Sequence, residues 1–333
     1  MMDATRRALV AAASLGLPMR WNATPVSAQP GRAVETLHLL VPAAPGGGWD
    51  GTAQVIAQVL RETGAVAAVR FEYRPGAGGA LALPRLVIGL RARPDTLMVG
   101  GLTQVSSAIV NQSALTVLDA VPIARLVGEP LVLAVAADSP LGTVADFARA
   151  LRADPLGLRV AGGSEGSADH ILLATIGQAL GIDVFALTYM PFSGGGPAGA
   201  AVLAGRAQAG ISNWSEFAPH IEDGRMRALA LSGDDRHVGA HVPTLREVGI
   251  DAVLYNWNAL FAPPGLDEAR RARLEAMVDA MARSPAWERE AARHRWRLLY
   301  LPRREFEAFL RTETRSIENT LARLGLAQPR EAD

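Results

Sequence analysis

Four glycine-rich segments hold residue types and spacings that could do chemistry. They are Pro45-Gly46-Gly47-Gly48-Trp49-Asp50, Gly76-Ala77-Gly78-Gly79, Gly162-Gly163-Ser164 running on to Asp169, and Ser193-Gly194-Gly195-Gly196. Each follows an apolar run that reads as a strand and opens a run that reads as a helix. A helix N-terminus presents unpaired N–H groups and a partial positive charge. Glycine lets an anion approach that backbone closely. In parallel α/β sheets, ligands bind beyond the carboxyl ends of the strands, where such turns gather. One turn of this kind is simply a tight connection. Four of them around one cleft would suit a small anion with several carboxylates, held by backbone donors without lysine or arginine.

Other chemistries compete for the same residues. Gly46 to Gly51 fits G-x-G-x-x-G, and Glu72 lies about where a ribose-binding acid would stand. Pro42 and Pro45, however, stretch a turn that a dinucleotide fold needs tight. Gly162-Gly163-Ser164-Glu165-Gly166 fits the G-x-S-x-G of a nucleophile elbow, the mark of a serine hydrolase. Its histidines are poorly placed: His170 follows nearly two turns along the same helix, and His294 falls in an arginine-rich helical pattern. His237 and His241, beside Asp234 and Asp235, could suggest a metal, but Gly239 between them favours a solvated polar loop.

The elements that must position these residues alternate. Strands are expected over residues 37–41, 69–73 and 96–100, with helices over 51–63 and 80–90, giving a parallel α/β unit. The grammar restarts with strands at 131–136, 158–161, 185–189, 207–211 and 228–232. Helices are expected at 144–152, up to about 180, and up to about 204. After Pro263-Pro264-Gly265 the pattern changes to long Arg/Glu-rich helices over 267–283, 285–295 and 303–324, with one strand at 297–300. These helices are expected to pack on the first unit with a salt-bridged face toward solvent.

Composition bounds the function. The chain has 333 residues, 49% hydrophobic, with 33 Lys+Arg against 33 Asp+Glu. That length favours two lobes, and the neutral balance argues against nucleic acid as a partner. There is no cysteine, which excludes thiolate metal sites and cysteine nucleophiles. There is no lysine either, which excludes Schiff-base and P-loop lysine chemistry. Residues 1–28 read as an export signal: Arg6 and Arg7, an apolar run from Ala8 to Met19, and Val26-Ser27-Ala28 before Gln29. The apolar run is too short for a membrane span.

Several separate segments together resemble the receptors of the tripartite tricarboxylate transporters, the Bug-type solute-binding proteins. They are Leu40 to Asp50, Arg74 to Gly79, Ala161 to Ser164 with Asp169-His170, Phe192 to Gly196, and Asn256-Trp257-Asn258. The resemblance spans about residues 35–325, and the Pro-Gly-Gly-Gly-Trp-Asp form is similar to the tricarboxylate-type branch. It implies an α/β, two-lobe periplasmic binding protein fold, each lobe a sheet flanked by helices with a ligand cleft between. It implies a ligand carboxylate held at the first glycine loop, with the second lobe's helix N-termini on its other end. It further implies delivery of a citrate-like di- or tricarboxylate to a membrane permease. Residues 1–28 would be the signal peptide, 29–131 plus 255–333 the first lobe, and 132–254 the second. The expected ligand-binding set is Pro45, Gly46, Gly47, Gly48, Trp49, Asp50, Gly78, Gly79, Thr103, Ser164, Asp169, Ser193, Gly194, Gly195, Gly196 and Trp257. No catalytic residue, metal or cofactor is expected, and the protein is expected to be a monomeric receptor rather than an enzyme. A sensory receptor without transport would have the same fold.

Overall fold

The computed structural model describes residues 34–239 and 241–327; the export signal expected over 1–28 lies outside the described residues. Strand β1 (Val34–Val41) buries Leu37, Leu39, Leu40 and Val41 completely. It can do so because it is central, with β2 (Val66–Tyr73) parallel on one side and β3 (Thr96–Gly101) parallel on the other. Helix α1 (Gly48–Glu62) covers this sheet with Ala53, Ile56, Ala57 and Leu60, the i, i+3, i+4, i+7 stripe of an amphipathic helix. The helix expected over 80–90 is instead a 3₁₀ turn (Ala77–Ala82) followed by a π turn (Arg85–Gly89). Gly78 and Gly79 sit at positive φ, and Pro84 contributes no N–H, so a regular α-helix cannot be sustained. Helix α2 (Leu102–Val110) starts directly at the end of β3 without a capping side chain, and the sequence carries no start signal for it.

Strand β4 (Val121–Ala136) is 16 residues long and runs through the whole sheet. Beyond it the chain builds α3 (Val144–Ala153), started by a Thr143–Asp146 capping box, then β5 (Arg159–Gly162) and α4 (Ala168–Ala179). Next come β6 (Thr188–Pro191), α5 (Gly195–Leu203), β7 (Ala209–Asn213), α6 (Trp214–Glu222) and β8 (Met226–Leu231). The strand expected at 185–189 starts later, because Asp183 caps a 3₁₀ turn at Val184–Ala186. Strand β9 (Tyr255–Ala262) returns the chain.

The strand order is β2-β1-β3-β9-β4-β7-β5-β6, with β8 and a further strand, β10 (Arg297–Pro302), also paired to β4. Up to Pro130, β4 pairs antiparallel with β9; from Leu131 it pairs antiparallel with β7 and β8. The sheet is therefore mixed rather than parallel. Parallel pairs lie at the outer strands of each half, and antiparallel pairs gather on β4 and β9, where the chain crosses between halves in opposite directions.

Helices α7 (Glu268–Ala282), capped by Asp267, and α8 (Pro285–Arg293), capped by Ser284, precede β10. Glu275 joins Arg271 at 3.1 Å and Arg303 at 2.9 Å, the salt-bridged face expected of these helices. Helix α9 (Arg303–Arg323) departs from expectation: Phe306, Leu310, Ile317 and Leu321 pack on β4 and α2, but the helix also touches α4. It therefore spans both halves, because its apolar stripe continues over more than four turns and outruns the first half alone. Among the described residues no helix is long and apolar enough to cross a membrane.

Candidate functional site

Where β4 switches partners, residues from both halves enclose a cavity of about 380 Å³. The first half supplies Gly48, Trp49 and Thr52 from the start of α1 and Thr103 from α2. Asn256 and Asn258 come from β9 and Glu129 from β4. The second half supplies Asn213 at the end of β7, then Ser215 and Glu216 in the first turn of α6. His294 and Trp296, stacked with centroids 4.6 Å apart, close one side.

A hydrogen-bonded frame fixes this lining. The Trp49 indole N–H donates to Asn258 Oδ1 at 3.1 Å, and Asn258 Nδ2 donates to Thr52 Oγ1 at 3.1 Å. Asn256 Nδ2 donates to Asn213 Oδ1 at 3.2 Å, joining β9 of one half to β7 of the other. The Ser215 N–H donates to Glu129 Oε1 at 2.5 Å, so Glu129 satisfies a free donor at the start of α6. Burial pushes the Glu129 carboxyl above the usual carboxylate range, and the nearby Glu216 adds to the shift. Among the described residues no arginine lines the cavity.

Of the expected site residues, Gly48, Trp49 and Thr103 line the cavity. Gly78 and Gly79 stand behind them: a Cβ on Gly79 would fall 2.7 Å from the Trp49 ring, so only glycine lets the ring lie there. Pro45, Gly46 and Gly47 form the turn that leads into α1. Asp50 is turned away from the cavity. Its Oδ2 accepts the Gly46 N–H at 2.7 Å, and its Oδ1 accepts from Tyr73 Oη at 2.9 Å and Gln54 Nε2 at 3.1 Å. Burial raises its pKa, but these three donors outweigh burial and hold it below the usual range. Asp169 does the same in the other half, accepting the Gly163 N–H at 2.7 Å. In both halves an acid in the first helical turn closes the glycine loop onto itself and takes up a donor expected to face a ligand.

Ser164 is exposed and lies outside the cavity. His170 accepts the Gly166 N–H through Nδ1 and stacks on Tyr189 at 4.0 Å, so it is engaged elsewhere. Glu72 makes a two-point contact with Arg85 at 2.8 and 3.1 Å, which occupies the acid a ribose would need. His237 faces the Trp296 carbonyl at 3.1 Å, and among the described residues no group of three potential metal ligands occurs.

Ser193, Gly194, Gly195 and Gly196 form the turn into α5 and reach the cavity indirectly: a Cβ on Gly195 would overlap Glu216 Oε2 and Ser212 Oγ. Trp257 is 1% exposed and faces the opposite way, donating to Glu313 Oε1 at 3.2 Å and packing on Phe306 and Phe309. Strand alternation explains this: in Asn256-Trp257-Asn258 the two asparagines share one face, toward the cavity, and the tryptophan takes the other, toward the core. That alternation was the available signal for the asparagines. Nothing local marks Thr52, Glu129, Glu216, His294 or Trp296.

Comparison with known proteins agrees with this architecture. BugT from Bordetella pertussis is 31% identical over 281 residues, covering 80% of this chain and 81% of that protein. The solved structure of MatC from Rhodopseudomonas palustris with bound malate superposes with a TM-score of 0.68 at 26% identity, covering 87% of this chain and 99% of that one. A ligand-free TctC solute-binding protein from Polaromonas superposes with a TM-score of 0.72 at 24% identity, covering 87% and 99%. The α/β fold is that of the two-lobe periplasmic binding proteins, and family and fold are those of solute-binding receptors. The model of the tripartite tricarboxylate transporter family receptors matches residues 52–325, and the chain belongs to that family.

Proposed function

We propose that the protein captures a small di- or tricarboxylate in the cavity at the β4 switch and delivers it to a membrane permease of the tripartite tricarboxylate type. The carrying observation is the cavity itself, framed by strand-to-helix turns of both halves and bridged by the Asn256–Asn213 hydrogen bond. The two halves act as lobes, residues 29–131 with 255–333 and residues 132–254, and the hinge lies where β4 changes partners between Pro130 and Leu131. Contacts from both lobes give the ligand its differential affinity for a closed form. Removal of residues 1–28 on export would place the receptor, as a monomer, in the periplasm. MatC, a relative solved with malate, supports the carboxylate class.

A ligand that binds only the folded protein raises its stability, by about 2.7 kcal/mol at a hundredfold excess over Kd. A thermal-unfolding screen should therefore show higher midpoints with organic acids and none with neutral sugars. Sugars that stabilise while every acid fails would overturn the reading.

A further inference from the structure

The resemblance implies that the far end of the ligand meets helix N-termini of the second half, the glycine turn that opens α5 among them. In the structure a carboxylate of the protein already stands there. Glu216 Oε2 lies against Gly195, closely enough that no Cβ would fit between them, and the buried Ser212 hydroxyl donates to the same oxygen at 3.2 Å. Glu216 is exposed toward the cavity and lines it together with Glu129. Among the described residues no arginine in the lining balances the pair. A ligand carboxylate arriving at this end would meet the Glu216 carboxylate, already set against Gly195 of the α5 turn, with the Glu129 carboxyl beside it. A hydroxyl or ammonium group would instead find acceptors.

We propose that Glu216, with Glu129 beside it, is a specificity-determining residue that reserves the α5 end of the cavity for a hydrogen-bond donor on the ligand. The proposal rests on the reading of the cavity as an organic-acid site and narrows it. The preferred ligand is a carboxylic acid bearing a hydroxyl or ammonium substituent, with its ionised carboxylate toward the α1 end, where the lining is neutral. Unsubstituted di- and tricarboxylates of equal length are disfavoured. The discrimination is built from repulsion as well as attraction.

Calorimetry at pH 8 on the mature chain tests this with matched acids. The four-carbon set is butanedioate, its 2-hydroxy analogue and its 2-amino analogue; the tricarboxylate pair is propane-1,2,3-tricarboxylate and its 2-hydroxy analogue. The wild type should bind a substituted acid at least tenfold more tightly than the bare one. In Glu216→Gln the gap should fall below threefold, mainly because the bare acid binds better. Glu129→Gln should shift the ratio in the same direction by less. Both are near-isosteric, and circular dichroism with an unfolding curve confirms that each is folded. If the wild type binds bare acids as tightly as substituted ones, or if Glu216→Gln leaves the ratio unchanged, the role of Glu216 is overturned while the organic-acid site stands. If no acid of any kind binds, both readings fall.

Discussion

Asp50 and Asp169 both stand in the first turns of their helices, α1 and α4, and each accepts one glycine N–H. Their environments nevertheless drive them in opposite directions. Asp50 has two further donors and is held low. Asp169 has one, and burial, reinforced by the charge of Glu216, pushes it up to about 7. A carboxyl whose folded pKa lies above its unfolded value binds its proton more tightly when folded. Its contribution is fully present below about pH 4, declines as pH rises toward 7, and is constant beyond. Asp169→Asn keeps an acceptor for Gly163 and removes the titration. The variant should match the wild type near pH 4 and exceed it at pH 8 by up to about 4 kcal/mol. Denaturant unfolding of both proteins across this range measures the difference, and comparing the two cancels the parallel contribution of Glu129. Equal slopes would show that Asp169 does not titrate there.

At the scale of elements, the cavity depends on how a short turn supports a ring. The 3₁₀ turn at Ala77–Ala82 puts Gly79 under Trp49, with φ +89 and no room for a Cβ. Gln104 Nε2 donates to the Gly79 carbonyl at 2.9 Å and ties this turn to α2. Gly79→Ala meets both backbone strain, worth about 1–3 kcal/mol, and the Trp49 ring. It should lose stability and ligand affinity together, since Trp49 carries the hydrogen bond to Asn258. Gly64→Ala is the control: φ is +70, but open space surrounds it, so stability should fall and affinity should not. Urea unfolding and calorimetry on the two variants separate strain from displacement of the ring. Equal affinity losses in both would remove Trp49 from the site.

For the whole molecule, the decisive feature is that one strand serves both halves of the sheet. β4 pairs with β9 as far as Pro130 and with β7 from Leu131, and Glu129 lies at the change. Rotation at this point would move Asn213, Ser215 and Glu216 toward Trp49 and Thr52 across the cavity. Solution scattering should report a smaller radius of gyration once a stabilising acid is added, and no change with one that fails to stabilise. A radius unaffected by saturating ligand would rule out closure. Helix α9, packed on β4 and touching α4, crosses the same junction.

How much of this was legible follows from how far each signal reaches along the chain. Alternating apolar runs and glycine turns are local, so the α/β elements and the turn before α1, which sets Gly48 and Trp49 at the cavity, could be read directly. Cap residues such as Thr143, Asp267 and Ser284 marked helix starts for the same reason. The mixed sheet and the reach of α9 were not legible, because which strands pair is decided by contacts between residues far apart in sequence. The site shows the same division. Asp50 and Asp169 lie in the glycine-turn segments that read as anion sites, yet each turns back on its own loop. Glu129 and Glu216 are unremarkable in sequence and 87 residues apart in number, with Ser215 and its bond to Glu129 spanning 86. The sequence determined that glycine turns would open helices at the ends of the strands, the arrangement that makes a carboxylate site an expectation. Only the tertiary structure decided that a glutamate of α6 would stand at the start of α5, because only packing brings β4 and α6 to one cavity and sets α6 against the α5 turn.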